Sequence, residues 1–291
     1  MPSMSLFLSQ LFNGLATGLL LALISTGLTI IYGTLGVVNF AHGALFVVGA
    51  YAGYTAYGIT ESFLAALVTG ALFTLVVGLV IERGLMRLYY SRPPEDQILV
   101  TFGIGIILIE AVRAIYGGVS LSVPTPAWGQ GVVHIGSLIY PLYRLQALAI
   151  AAGTLAVLYY VLYRTSLGLI VRAGIEDSQM VNVLGINVKR TFLLVFGIGA
   201  MAAGYAGVID SPIVTLAPDM GHRILVDSFV VVVIGGVGSF PGAIIGGIIA
   251  GVILSLTSMF DPAYSHVMLF VVMALVLIFR PQGLMGQEGR E

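Results

Sequence analysis

The sequence predicts an all-α polytopic membrane protein with eight full transmembrane helices and one short or broken segment. Three observations carry this. Of 291 residues, 58% are hydrophobic and only 9% are charged. A soluble surface needs about 25–35% charged residues, so this chain cannot clothe a water-soluble globule, and it is too apolar for disorder. The apolar residues fall into runs near the length that crosses a bilayer, about 20 residues. Glycine is abundant, at 38 residues, as suits helices that pack closely in lipid or break within it.

The runs lie at 6–31, 36–57, 62–81, 98–116, 146–163, 191–209, 240–256 and 266–280, with a short one at 226–237. The first has no Lys or Arg before it, the earliest being Arg83. It therefore reads as a retained helix and not a signal peptide. Arg83, Arg87 and Arg92 follow the third run. Arg164, Arg172, Lys189 and Arg190 follow the fifth, and Arg280 and Arg290 follow the last. These are nine of the twelve basic residues, and the positive-inside rule places their regions in the cytoplasm. The N-terminus is then outside and the C-terminus cytoplasmic. The count closes if the 226–257 stretch enters and returns.

Composition excludes several functions. Cysteine is absent and the net charge is −1, so there is no disulfide or Cys-metal framework and no basic patch for nucleic acid. The dipeptide Gly-Lys does not occur, so the chain holds no P-loop. No catalytic motif is apparent, and the chain is not an enzyme by itself. If ATP drives it, another subunit hydrolyses the ATP.

Two runs are interrupted. The first interruption, Tyr32-Gly33-Thr34-Leu35-Gly36-Val37-Val38-Asn39-Phe40-Ala41-His42-Gly43, puts Gly, Asn and His into an apolar run. The second is Gly235-Gly236-Val237-Gly238-Ser239-Phe240-Pro241-Gly242. Irregular backbone at membrane depth is tolerated inside protein or along a cavity, and broken segments in both halves of a chain point to a transport path. Both breaks also fit as kinks that only assist packing. Two roles fit His42: a gate or substrate contact, or a hydrogen bond to a neighbouring carbonyl that locks the break. His134, His222 and His266 are not at metal-ligand spacing from it.

Glycines four apart recur at Gly14/Gly18, Gly49/Gly53, Gly238/Gly242/Gly246 and Gly247/Gly251. This spacing lets helices touch backbone to backbone. Glu110 and Arg113 share a helix face and read as a neutralised pair or as a proton relay. In the 164–190 loop, Thr165 or Ser166 can cap one short helix, and Asp177 or Ser178 a second that ends at Gly185. The second helix carries Gln179, Asn182, Glu176 and Asp177 where a membrane-surface helix carries Lys and Arg, so it suits docking to a protein.

These residues resemble the membrane permease subunits of branched-chain amino acid ABC transporters. The resemblance runs through Gly27-Leu28-Thr29-Ile30-Ile31-Tyr32-Gly33, Val38-Asn39-Phe40-Ala41-His42-Gly43 and Gly49-Ala50-Tyr51. It continues in Ser166-Leu167-Gly168, Arg172-Ala173, Asp177 and Leu184-Gly185-Ile186-Asn187, then Gly235-Gly236-Val237-Gly238-Ser239, Pro241-Gly242-Ala243 and Pro281-Gln282-Gly283-Leu284. It covers about residues 8–286. The resemblance implies one transmembrane permease domain over 1–291 in a bacterial or archaeal cytoplasmic (inner) membrane. It implies a second homologous permease subunit, identical or different, with two ATPase subunits that bind ATP and Mg, and an extracytoplasmic solute-binding protein. The chain itself needs no cofactor and meets membrane lipid but no nucleic acid.

The resemblance also assigns sites. Asn39, Phe40, His42, Gly43, Gly235, Gly236 and Gly238 line or support the path. Ser166, Gly168, Arg172, Asp177, Met180, Leu184 and Gly185 belong to the element that engages the ATPase. Met180 and Val181 stand where relatives often carry small residues. Asp227 departs from the family pattern, and reads as a helix-start carboxylate at the outer interface or as a contact for a cationic or amide group. With Glu110 and Arg113, it completes the candidate substrate or structural charges. The implied function is amino acid import, with urea, short amides or aromatic acids next. A stand-alone secondary transporter using Glu110, or a small-solute channel, are the readings from other classes.

Overall fold

Lipid leaves backbone groups no water to bond, so a chain this apolar must satisfy them within helices. A computed structural model describes residues 4–135, 138–176 and 178–286, and the protein is mostly helical. In chain order the helices are α1 (Met4–Leu35), α2 (His42–Thr60), α3 (Phe63–Gly84), α4 (Pro94–Tyr116) and α5 (Leu142–Arg164). Two short ones follow, α6 (Ser166–Glu176) and α7 (Ser178–Val183). The chain then forms α8 (Val188–Asp210), α9 (Met220–Gly235), α10 (Phe240–Ser258) and α11 (Ser265–Phe279).

Among the described residues, seven helices are long and apolar enough to cross a bilayer, not the eight expected from the runs. The difference is α2. Its inward half, from His42 to Tyr51, is buried in protein, and Tyr54, Thr55, Tyr57 and Thr60 follow. A helix enclosed by other helices does not need a lipid-compatible surface all round. The short segment is also longer than expected: α9 has 16 residues, about 24 Å, below the roughly 30 Å of a bilayer core.

The fold is not purely helical. Val132–Ile135 (β1) and Leu138–Pro141 (β2) form an antiparallel pair between α4 and α5. In the sequence, Val132-Val133 and Leu138-Ile139-Tyr140 flank Gly136-Ser137, a hairpin signal too short for hydropathy to report. The hairpin is tied to α1, where Asn13 Oδ1 accepts from the Tyr140 hydroxyl at 2.9 Å and from Arg144 Nη1 at 2.5 Å.

The core runs along α1. Of its most apolar stretch 89% is buried, against 11% for α11, so α1 is the axis and α11 the rim. The glycine rhythm explains how helices reach that axis. A Cβ on Gly14 would lie 2.8 Å from the Val252 Cα, and one on Gly18 would lie 2.8 Å from the Gly247 carbonyl oxygen. The α1 and α10 backbones therefore touch, as small residues permit in lipid. Gly49 on α2 meets Gly204 on α8 in the same way. The glycine spacing thus serves packing within the chain. Polar caps close the helix starts: Ser62 Oγ accepts from Ala65 N at 3.3 Å, and Asn187 Oδ1 from Arg190 N at 3.2 Å.

This packing makes a direct prediction. Gly251→Leu, with Gly18 against it, overpacks α1–α10 and lowers the stability of the detergent-solubilised protein by about 1–3 kcal/mol. Gly103→Leu, where a Cβ meets nothing within 4 Å, leaves the melting temperature unchanged. Equal loss in both variants would mean the α1–α10 contact does not carry the fold.

Candidate functional site

The first break turns the chain back into the middle of the protein. α1 ends at Leu35, and Gly36 takes the left-handed conformation (φ 66). Its N–H bonds the Tyr32 carbonyl at 2.8 Å. By His42, the first residue of α2, the chain lies beside Ile24, eleven residues before the end of α1 (35 − 24), or about 16 Å along the helix. A short turn achieves this. Asn39 Oδ1 accepts the Ala41 N–H at 3.1 Å, and the Asn39 carbonyl accepts the His42 N–H at 3.2 Å, an arrangement Asn favours.

Asn39 and His42 are both 0% exposed. The His42 Nε2–H donates to the Ile24 carbonyl at 2.8 Å, and a Cβ on Gly27 would lie 2.9 Å from the imidazole Cε1. Of the two roles open to His42, the geometry matches the lock: it ties the start of α2 to the interior of α1. Asn39 Nδ2 and His42 Nδ1 meet no partner among the described residues. Gly43 sits where α2 crosses α9, with room for no side chain, since a Cβ would lie 2.8 Å from the Leu225 Cβ.

Phe40 is the half-buried member of the group. Its N–H bonds Thr101 Oγ1 on α4 at 3.1 Å, and its ring lies 5.9 Å from that of Phe229 on α9. With Ala44, Phe102, Gly105, Gly221 and His222 it lines a cleft of about 10 Å3 between α2, α4 and α9, the space of one water. Thr101 was not among the expected site residues. Its signal was being the one hydroxyl in an otherwise apolar stretch of α4.

The second break is closed by a distant part of the chain. After α9, Gly236 (φ 106) and Gly238 (φ 79) adopt a backbone that side chains resist. Ser239 Oγ then accepts the Gly242 N–H at 3.1 Å and starts α10. The end of α9 leaves carbonyls without helical partners. Leu284 N–H reaches the Ile234 carbonyl, and Met285 N–H the Gly235 carbonyl, both at 2.9 Å. Gly283 (φ 79) makes this possible, since a Cβ there would lie 2.5 Å from the Gly236 Cα. Residues 281–286 thus form a strap over the break. The two breaks abut: a Cβ on Gly33 would sit 3.3 Å from the Gly238 Cα.

The short helices α6 and α7 form as their sequence suggested. Gly168 packs on the Leu162 carbonyl, to which the Arg172 guanidinium also donates. That guanidinium lies 5.4 Å over the Tyr163 ring, a cation–π contact that clamps α6 on α5. Gly185 (φ 81) ends the second helix, where the Leu184 N–H bonds the Met180 carbonyl at 3.1 Å. Val181 turns inward, while Met180, Val183 and Leu184 are 57%, 82% and 71% exposed. Ser166 begins α6 and is exposed. Asp177 lies outside the described residues.

The charges form two groups. Arg113 pairs with Glu110, as expected, and also with Asp219 just before α9, a partner far off in sequence. Asp227 is not a helix-start carboxylate. α9 begins at Met220, so Asp227 lies in its interior, buried, 3.2 Å from His266 Nδ1 on α11. His222 and Arg223 had hidden the true start, because they interrupt the apolar run.

Buried helix breaks, a bundle of lipid-length helices and an amphipathic element at one end define a multi-pass membrane transport subunit. Residues 10–277 match the family described as branched-chain amino acid transport system / permease component. The chain is 32% identical to the high-affinity branched-chain amino acid transport system permease protein BraD of Pseudomonas aeruginosa, over 99% of this chain and 98% of that one. It is 32% identical to the high-affinity branched-chain amino acid transport system permease protein LivH of Escherichia coli, over 97% of this chain and 96% of that one. A ribose import permease of E. coli, RbsC, is 24% identical over 84% and 76%. The chain belongs to the branched-chain amino acid transport system permease family and is a permease subunit of an importer.

The strap yields a test. In hydrogen–deuterium exchange the Leu284 and Met285 amides are protected. Gly236→Val, which has no space against the strap, speeds their exchange by about tenfold or more, the loss of one to two hydrogen bonds. Unchanged protection in Gly236→Val would detach the strap from the break.

Proposed function

We propose that this chain forms half of the translocation path of an ATP-driven importer in the cytoplasmic membrane, and that its solutes are branched-chain amino acids. The observation that carries this is the family match across residues 10–277, together with relatives named for branched-chain amino acid transport at 32% identity over nearly the whole chain. The whole of 1–291 acts as one permease domain. The N-terminus lies outside and the C-terminus inside, with α2 and α9 completing the membrane-embedded set. A second permease, identical or homologous, faces it, two ATPase subunits bind ATP and Mg below it, and a solute-binding protein delivers from outside.

In this reading Phe40 and the cleft beside it belong to the path in a closed state, since a cleft of about 10 Å3 admits no amino acid. Asn39 and His42 set the position of Phe40 from behind, and Gly43 lets α9 approach. Gly235, Gly236 and Gly238 give the second break its shape. Glu110, Arg113 and Asp219 hold α4 to the start of α9, and Asp227 with His266 holds α9 to α11. The α6–α7 element is the contact for the ATPases. Its outward Met180, Val183 and Leu184 offer an apolar face to a protein groove. Its clamp through Gly168 and Arg172 transmits force to α5. Gly185 keeps the second helix short, and Ser166 starts the first.

The similarity to a ribose import permease shows related scaffolds serving another solute, so the substrate panel must be broad. The complex with its ATPases, reconstituted in proteoliposomes, hydrolyses ATP faster when a solute-binding protein loaded with leucine, isoleucine or valine is added. Leu184→Asp puts a charge in the docking face and removes that stimulation while leaving the permease folded. Stimulation by ribose, urea or an aromatic acid alone would replace the substrate assignment. Solute uptake by this chain without ATPases would replace the importer reading with a secondary carrier or channel.

A further inference from the structure

Of the seven membrane-length helices among the described residues, α11 is the least enclosed, with 11% of its most apolar stretch buried, and it packs on α9 and α10. Where α11 meets the 281–286 strap lies an apolar groove of about 260 Å3, lined by Val272, Leu275, Val276, Phe279, Arg280 and Leu284. The Arg280 guanidinium is the one charged group in that lining. Its hydrogen bond to the Leu284 carbonyl is 3.5 Å long, at the limit of such bonds, and among the described residues no carboxylate pairs with it.

The chemistry of this groove is that of a single amphiphile. Hydrocarbon fills an apolar trough on a helix that faces the bilayer. A guanidinium in the lining binds a phosphate oxygen pair better than it binds water. A zwitterionic headgroup sets its own cation beside Arg280, whereas an anionic one does not. We infer that the groove between α11 and the 281–286 strap is a binding site for an anionic phospholipid, with the acyl chain along Leu275 and Phe279 and the phosphate on Arg280. The bound lipid rests on Leu284, whose N–H caps the Ile234 carbonyl, so the site bears directly on the strap that closes the second break.

The test uses the full chain with Trp128→Phe and Phe279→Trp, so that one tryptophan reports from the groove. It is reconstituted in mixtures of phosphatidylcholine and phosphatidylglycerol, with one or the other brominated to quench the indole. Phosphatidylglycerol is preferred by about fivefold, the worth of one basic side chain at an anionic surface. Arg280→Gln abolishes the preference, Arg280→Lys retains part of it, and Arg87→Gln leaves it intact. Equal quenching by both lipids overturns the inference, as does a preference that survives Arg280→Gln. A preference that emerges only after deletion of residues 287–291 makes the chain's own tail the occupant and overturns it too. So does a Leu275→Cys disulfide between two permease chains with no lipid quenching, which makes a partner the occupant.

Discussion

The constraint on which this structure turns is that a helix broken inside a bilayer must find partners for its freed backbone groups. Water is not at hand, and each buried donor or acceptor left alone costs about 1–3 kcal/mol. The two breaks meet this demand differently. At the first, a local turn is joined by two other helices: Asn39 supplies the turn, Thr101 on α4 takes the Phe40 N–H, and His42 is tied to the Ile24 carbonyl on α1. At the second, the partners are the Leu284 and Met285 amides. Everything proposed for the path depends on these arrangements, because they place Phe40 at the cleft and bring Gly33 against Gly238.

Glycine is the other side of the same economy. Without a hydrophobic drive between helices in lipid, close packing must hold the bundle. Gly14, Gly18, Gly247 and Gly251 let α1 and α10 meet along their backbones, and Gly49 with Gly204 does so for α2 and α8. The result is a dense axis on α1, α2 and α8, surrounded by helices that keep much of their surface outward. That division suits a subunit whose inner part holds a defined shape while its rim meets lipid and other chains.

Much of this was legible in the sequence, for physical reasons that also mark where legibility ends. Hydropathy over about 20 residues reports a helix in lipid, so α3, α4, α5, α8, α10 and α11 could be read directly. Local backbone chemistry reports caps, so α6, α7 and the left-handed Gly185 were readable too. Hydropathy also marks α2, as the 36–57 run, but not that its first half is enclosed by protein, and it misplaces the start of a helix that begins with polar residues, as α9 does at His222 and Arg223. The β1–β2 pair leaves no trace in hydropathy, because its strands of four residues are far shorter than a span. Non-local partners left no local trace: Asp219 for Arg113, His266 for Asp227 and Thr101 for Phe40. The polar residues of the first break could be picked out, but not which faced inward. Asn39 and His42 turned out buried, with Phe40 between them half-open.

The strap carries a consequence for how the protein is made. Leu284 and Met285 cap carbonyls that precede them by fifty residues (284 − 234 and 285 − 235). While α10 and α11 are still being synthesised, the end of α9 sits in the membrane with those two carbonyls bare. The bundle cannot reach its final form helix by helix in the order of translation. Its second break is completed retroactively, by a segment that must fold back under helices already inserted, so an interrupted chain that stops after α11 would keep every span and still lack the closure.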